Sequence, residues 1–169
     1  MNAAATQSKP EASSAPAIRI LKTATCPSLS GASQLSYSVG CDDSNAIYFQ
    51  VTKNSGGGQF NIEWVSMEKI GKALSESPNI TSFSLRGVTV GRSLNNGGFF
   101  LAALKHEGLV LASEDVSVRS YHLGDPAEFL GVMNALIESG VNLKVDQAVA
   151  EKPKKAASKA GQKKAIDQS

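Results

Sequence analysis

Three stretches in the first half of the chain alternate apolar with small or polar residues, and that period of two most limits its possible folds. In LSYSVGC, residues 35–41, Leu35, Tyr37, Val39 and Cys41 fall on one side of an extended chain and Ser36, Ser38 and Gly40 on the other. IYFQVTK, residues 47–53, repeats the pattern with Ile47, Phe49 and Val51, and the turn-forming run 42–45 makes an antiparallel hairpin the expected connection. After the flexible loop NSGGG, FNIEW at residues 60–64 sets Phe60, Ile62 and Trp64 on one face and is expected to extend the hairpin to a meander. A short apolar segment at 18–21 precedes all three. It is followed by a turn-rich run, TCPSLSGAS, punctuated by Pro27 and Gly31.

The period then becomes helical. Ser66 is placed to cap a helix, Glu68 sits near the positive end of its dipole, and Val65 and Ile70 occupy the two positions of a hydrophobic staple. Ile70, Ala73 and Leu74 would face inward, and Pro78 helps to stop the helix. The clearest helix comes last: Asp125, Pro126 and Glu128 form its start, and Gly140 stands where a left-handed C-terminal cap is expected. Phe129, Leu130, Val132, Met133, Leu136 and Ile137 make its apolar face. Between these helices, residues 84–88 read as a short helix. A third helix, capped by Ser93, runs to about His106 with Leu94, Phe100, Leu101 and Leu104 inward. Gly108 ends it, and residues 109–112 and 116–123 read as strands joined across Ser113, Glu114 and Asp115.

The fold class is therefore α+β: an N-terminal antiparallel meander, a helical region with a β-ribbon, and a C-terminal helix. Residues 17–142 form one domain of ordinary size. Residues 1–16 and 143–169, poor in large apolar side chains, are expected to be disordered tails. No apolar run reaches signal-peptide or membrane-spanning length, so a soluble, cytoplasmic protein without a membrane partner is expected. Two cysteines, Cys26 and Cys41, are too few for a disulfide framework and are read as free, partly buried thiols. The chain's net charge of +2 hides an asymmetry: residues 151–169 carry six lysines against Glu151 and Asp167, a net of +4, which leaves −2 for the rest.

The order strand, helix, helix, ribbon across residues 79–123, with the phrase LAALKHEGLV before the ribbon, resembles a winged helix-turn-helix, and the resemblance extends over about 66–123. It implies a nucleic-acid-binding protein, with double-stranded DNA as partner, whose third helix enters the major groove while the ribbon touches the adjacent backbone. The residues that would make those contacts are Arg86, Arg92, Ser93, Asn95, Asn96, Lys105 and Arg119. Asparagine can bond an adenine edge and arginine a guanine edge. Lys152, Lys154 and Lys155 of the basic tail would add sequence-independent attraction to phosphate. Two features oppose this reading: residues 79–124 carry a net charge of only +1, and Glu114 and Asp115 at the ribbon tip would repel phosphate.

No enzyme is read from the sequence. The loop at 54–58 has no lysine followed by serine or threonine and precedes a strand-like segment, and SLSGAS at 28–33 also lacks the lysine, so neither matches a phosphate-binding loop. Cys26, Cys41, His106 and His122 match no zinc spacing, so neither metal nor cofactor is expected. A catalytic reading would need a concave pocket that gathers one cysteine with a histidine. The alternative function is a protein-interaction or assembly module, possible as a homodimer, that uses the apolar final helix.

Overall fold

The computed structural model describes residues 17–57, 59–90, 93, 95–115 and 119–143. The expected tails at 1–16 and from 144 onward lie outside the described residues, as does most of the segment 91–94.

β1 (Arg19–Pro27), β2 (Gln34–Cys41), β3 (Ile47–Asn54) and the two-residue β4 (Val65–Ser66) form an antiparallel sheet in that order. The expected hairpin is present as β2 and β3, with Tyr37 opposite Val51 and Val39 opposite Phe49. Its turn is held by Asp42, whose Oδ1 accepts from the Ser44 and Ala46 N–H groups and whose Oδ2 accepts from the Tyr48 hydroxyl. The strand expected at 60–64 does not form. The Asn61 N–H bonds the Asn96 side chain and the Gln59 carbonyl accepts from Ser93, so this backbone is tied to a helix start and only Val65 and Ser66 pair with β3. The missing strand is supplied instead by β1, which runs through Thr25, Cys26 and Pro27, residues expected in a turn. Proline is tolerated there because β1 is an edge.

One face of the sheet carries Ala24, Cys26, Leu35, Tyr37, Val39, Phe49 and Val51 against the helices. The opposite face is also covered at β2, where Ser38 and Gly40 are buried. A Cβ on Gly40 would lie 2.5 Å from the Ile18 side chain and 3.1 Å from the Trp64 ring. The small residues that alternate along β2 therefore make room for a second layer of apolar groups.

α1 (Met67–Ser75) starts as expected: the Ser66 hydroxyl accepts from the Lys69 N–H at 3.2 Å, and Val65 and Ile70 are both buried. Ile80 then makes an isolated antiparallel bridge to Tyr121. The short helix expected at 84–88 is a 3₁₀ turn at Ser82–Leu85, where Thr81 caps Phe83 and Ser84 bonds back to the Thr81 N–H. α2 (Asn96–His106) leads into a ribbon of β5 (Val110–Ala112) and β6 (Tyr121–Leu123). α2 begins two residues later than expected, with Asn95 instead of Ser93 at the cap position, because the Ser93 hydroxyl serves the Gln59 carbonyl. α3 (Ala127–Glu138) follows, with Asp125 accepting from the Ala127 N–H, and Gly140 has the expected left-handed φ of 70°.

The core lies between the sheet and the helices. Phe49 stacks on Phe129 of α3 at 5.6 Å, while α2 is buried nearly all round through Phe100, Leu101, Ala102, Ala103 and Leu104. Gly97 lets α2 approach the 3₁₀ turn, since a Cβ there would collide with the Ser82 carbonyl oxygen. The end of α3 is tied to β1 by Arg19, which donates to the Val141 and Ile137 carbonyls, and Leu143 donates to Ile20. Leu143, the first residue of the expected tail, is held to β1 by that bond. Cys26 and Cys41 are free and buried. No helix among the described residues is long and apolar enough to cross a membrane.

Candidate nucleic-acid interface

The outward positions of α2 and its cap, spaced by three and four, are Asn95, Gly98, Phe99, Ala102, Lys105 and His106. Asn95 is exposed at the N-cap position and makes no side-chain capping bond. Lys105 and His106 are exposed at the other end. The middle of the stripe is not free. Ala102 is only 3% exposed and shares a cavity with Cys26, Pro27, Ser28 and Leu29, so the turn after β1 stands over the helix. That turn is fixed by bonds between Ser28 and Ser33 and between Gly31 and Ser28.

Beside the blocked stretch, the first half of α2 opens into a groove of about 550 Å³. It is lined by Ser28, Leu29 and Ser30 of the turn, by Arg119 and Tyr121, and by Ser82, Asn95, Gly98 and Phe99. Arg119 and Tyr121, two residues apart on a strand-like segment, share a side of the chain. Lys105 Nζ lies 6.0 Å from the centroid of the Tyr121 ring, and the Phe99 ring meets Phe60 edge to face at 5.9 Å. The groove therefore presents two half-buried aromatic rings, an amide and two cations.

Of the residues expected to contact nucleic acid, the structure brings Asn95 and Arg119 into this groove and Lys105 to its edge. Asn96 is buried instead: its Nδ2 donates to Thr89 Oγ1 at 3.1 Å and its Oδ1 accepts from the Asn61 N–H at 3.2 Å, which leaves it no surface to read a base. Ser93 is occupied by Gln59, and Arg86 stacks on the exposed Phe83 ring at 4.0 Å on the 3₁₀ turn, away from the groove lining. Arg92, Lys152, Lys154 and Lys155 lie outside the described residues. Phe99, Tyr121 and the Ser28–Ser30 turn were missed by sequence reasoning. Phe99, four residues after Asn95, and Tyr121, two after Arg119, carried a periodicity signal, whereas the turn had none.

A polar cluster adjoins the cavity lined by Cys26, Ala102 and His106. The Tyr37 hydroxyl donates to Glu107 Oε1 and lies 2.7 Å from His106 Nδ1, while Lys22 Nζ pairs with Glu107 Oε2 at 2.8 Å. The Glu107 carboxylate is buried, and Lys22, reaching it from the partly exposed edge strand, supplies the opposite charge that keeps it from being unpaired. Cys26 and His106 both line the cavity, the geometric condition set for a cysteine nucleophile. The electrostatics oppose that role: burial, then the charge of Glu107, push the Cys26 thiol up, away from the thiolate form. Among the described residues no three histidine, cysteine or acidic side chains converge as a metal site would require.

Compared with known proteins, the chain matches no family model, no curated protein and no solved structure.

Proposed function

We propose that this chain is a non-enzymatic nucleic-acid-binding protein that uses the groove between α2, the ribbon and the turn after β1. The observation that carries the reading is the convergence of Asn95, Phe99, Arg119 and Tyr121 in one groove, with Lys105 over the Tyr121 ring. Cations for phosphate, aromatic faces for bases and an amide for a base edge are the three kinds of group such a ligand needs. A winged-helix-like arrangement of residues 66–123 is supported by the order helix, bridge, turn, helix and ribbon, in which Ile80 pairs with Tyr121 beside the β5–β6 pair. Glu114 and Asp115 are exposed at the tip of the ribbon, and Arg119 lies at the same end, just beyond the Ser113–Ser120 pair, as the basic residue the ribbon offers to a phosphate.

The test is fluorescence anisotropy of the full chain with mixed-sequence labelled oligonucleotides across a salt series, alongside Arg119→Ala and Lys105→Ala. Salt-sensitive binding weakened by both substitutions is expected. No binding, or binding indifferent to both, would overturn the reading. A protein-interaction role has support from α3, whose Val132 is 48% exposed and whose Leu130 and Ile137 are only half-buried. Dimerisation in sedimentation, abolished by Val132→Glu and without any nucleic-acid binding, would favour that role.

A further inference from the structure

We propose that the groove selects single-stranded nucleic acid, with a base seated against the Tyr121 ring and its phosphates drawn to Arg119 and Lys105, and that α2 does not read a duplex. The inference rests on the nucleic-acid reading above and specifies the form of the ligand.

The case against a duplex is steric. An α-helix with its side chains is about 10–12 Å across and nearly fills a B-DNA major groove about 12 Å wide. A reading helix therefore needs its outward stripe clear along several turns. On α2 that stripe is interrupted at Ala102 by Pro27, Ser28 and Leu29, which would meet the walls of the major groove before the helix reached its floor. Asn96, which would point to an adenine edge, is held inside by Thr89 and Asn61. The tip of the ribbon carries the exposed Glu114, the wrong sign for the flanking phosphates.

The same turn that excludes a duplex creates the wall a single strand needs. An unpaired base offers two flat faces, and stacking on aromatic side chains with nearby cations is the common means of holding it. Tyr121 is half-buried and lines the groove, and the Lys105 ammonium, 6.0 Å from its ring centroid, lies near the ring without closing its face. Leu29, 36% exposed, adds an apolar surface to the same groove, while Asn95 and Ser30 supply bonding groups for a base edge. DNA and RNA single strands share this chemistry.

The experiment measures the affinity of the full chain for labelled oligo(dT), oligo(U) and a hairpin duplex of equal phosphate number, at one physiological salt concentration. Tighter binding of either single strand than of the hairpin is expected. Tyr121→Leu should weaken single-strand binding by roughly 5- to 100-fold, and Tyr121→Phe, which keeps the ring, should restore it. The comparison of single strands with the hairpin needs no variant and keeps the test valid should the Leu variant fail to fold. Attraction by the lysine-rich end would be indifferent to Tyr121, so it cannot imitate this result. A hairpin bound as tightly as the single strands, or affinity unchanged in Tyr121→Leu, overturns the inference while leaving nucleic-acid binding intact. Absence of binding to all three probes overturns both.

Discussion

The Tyr37 hydroxyl oxygen lies 2.7 Å from His106 Nδ1 and gives its own proton to Glu107, so the imidazole must be the donor in the contact between ring and hydroxyl. His106 thereby has its proton on Nδ1, and the cluster joins the middle of β2 to the end of α2. Tyr37→Phe removes the hydroxyl on which both partners converge. Its stability in urea should fall by about 1–3 kcal/mol with an unchanged m value, while His106→Ala, at an exposed ring, should cost about 1 kcal/mol or less.

Alkaline pH should act on the same cluster. Burial first, then the hydrogen bond and charge of Glu107, hold the Tyr37 phenol far above its usual range, and Cys26 is raised by burial and Glu107. The folded chain keeps protons that the unfolded chain releases above about pH 8.5 for cysteine and about pH 10 for tyrosine. This contribution is fully present below those values and is lost as pH rises past them. Unfolding midpoints measured from pH 7 to 11 should fall at the alkaline end, and Tyr37→Phe should flatten the decline above pH 10.

Asn95 and Asn96 are adjacent and should behave differently. Asn96→Ala strands the Thr89 hydroxyl and the Asn61 N–H, and should lower stability by about 1–3 kcal/mol. Asn95→Ala, at an exposed side chain, should change stability by less than about 0.5 kcal/mol while weakening nucleic-acid binding. Thermal melts paired with anisotropy separate the two. Loss of binding without loss of stability in the Asn96 variant would contradict this assignment.

The paired glycines of α2 offer a second contrast. A Cβ at Gly97 would run into the Ser82 carbonyl, so Gly97→Ala should destabilise by about 1–3 kcal/mol. At Gly98 the nearest atom to an added Cβ is that of Ser82 at 3.8 Å, ordinary contact, and Gly98→Ala should stabilise by about 0.5–1 kcal/mol through helix propensity. Circular-dichroism melts of both variants check the pair.

If Arg119 faces a phosphate, removing it changes the salt dependence as well as the affinity. For a single strand, Arg119→Ala should reduce the magnitude of the slope of log K against log salt by about 0.7. An unchanged slope would place Arg119 away from the bound backbone.

The sequence alone determined the elements whose signals are local. The β2–β3 hairpin follows from its alternation and turn residues, α1 from a serine cap and staple, and the end of α3 from a glycine that accepts a left-handed φ. The winged-helix resemblance named Asn95 and Arg119, which the structure brings to one groove, and equally Asn96, which it buries against Thr89, because burial of a single polar side chain is not visible in one dimension. Tertiary structure decided the rest, because the deciding partners lie far apart along the chain. FNIEW had strand spacing, yet Asn96, 35 residues beyond Asn61, took a hydrogen bond that a ladder would have used. β1 carried a proline and a turn-like composition, yet pairing with β2 at a sheet edge made it a strand. The groove itself exists only because the turn after β1 folds over α2, some 70 residues later in the chain, and periodicity within an element says nothing about what another element will lay across it.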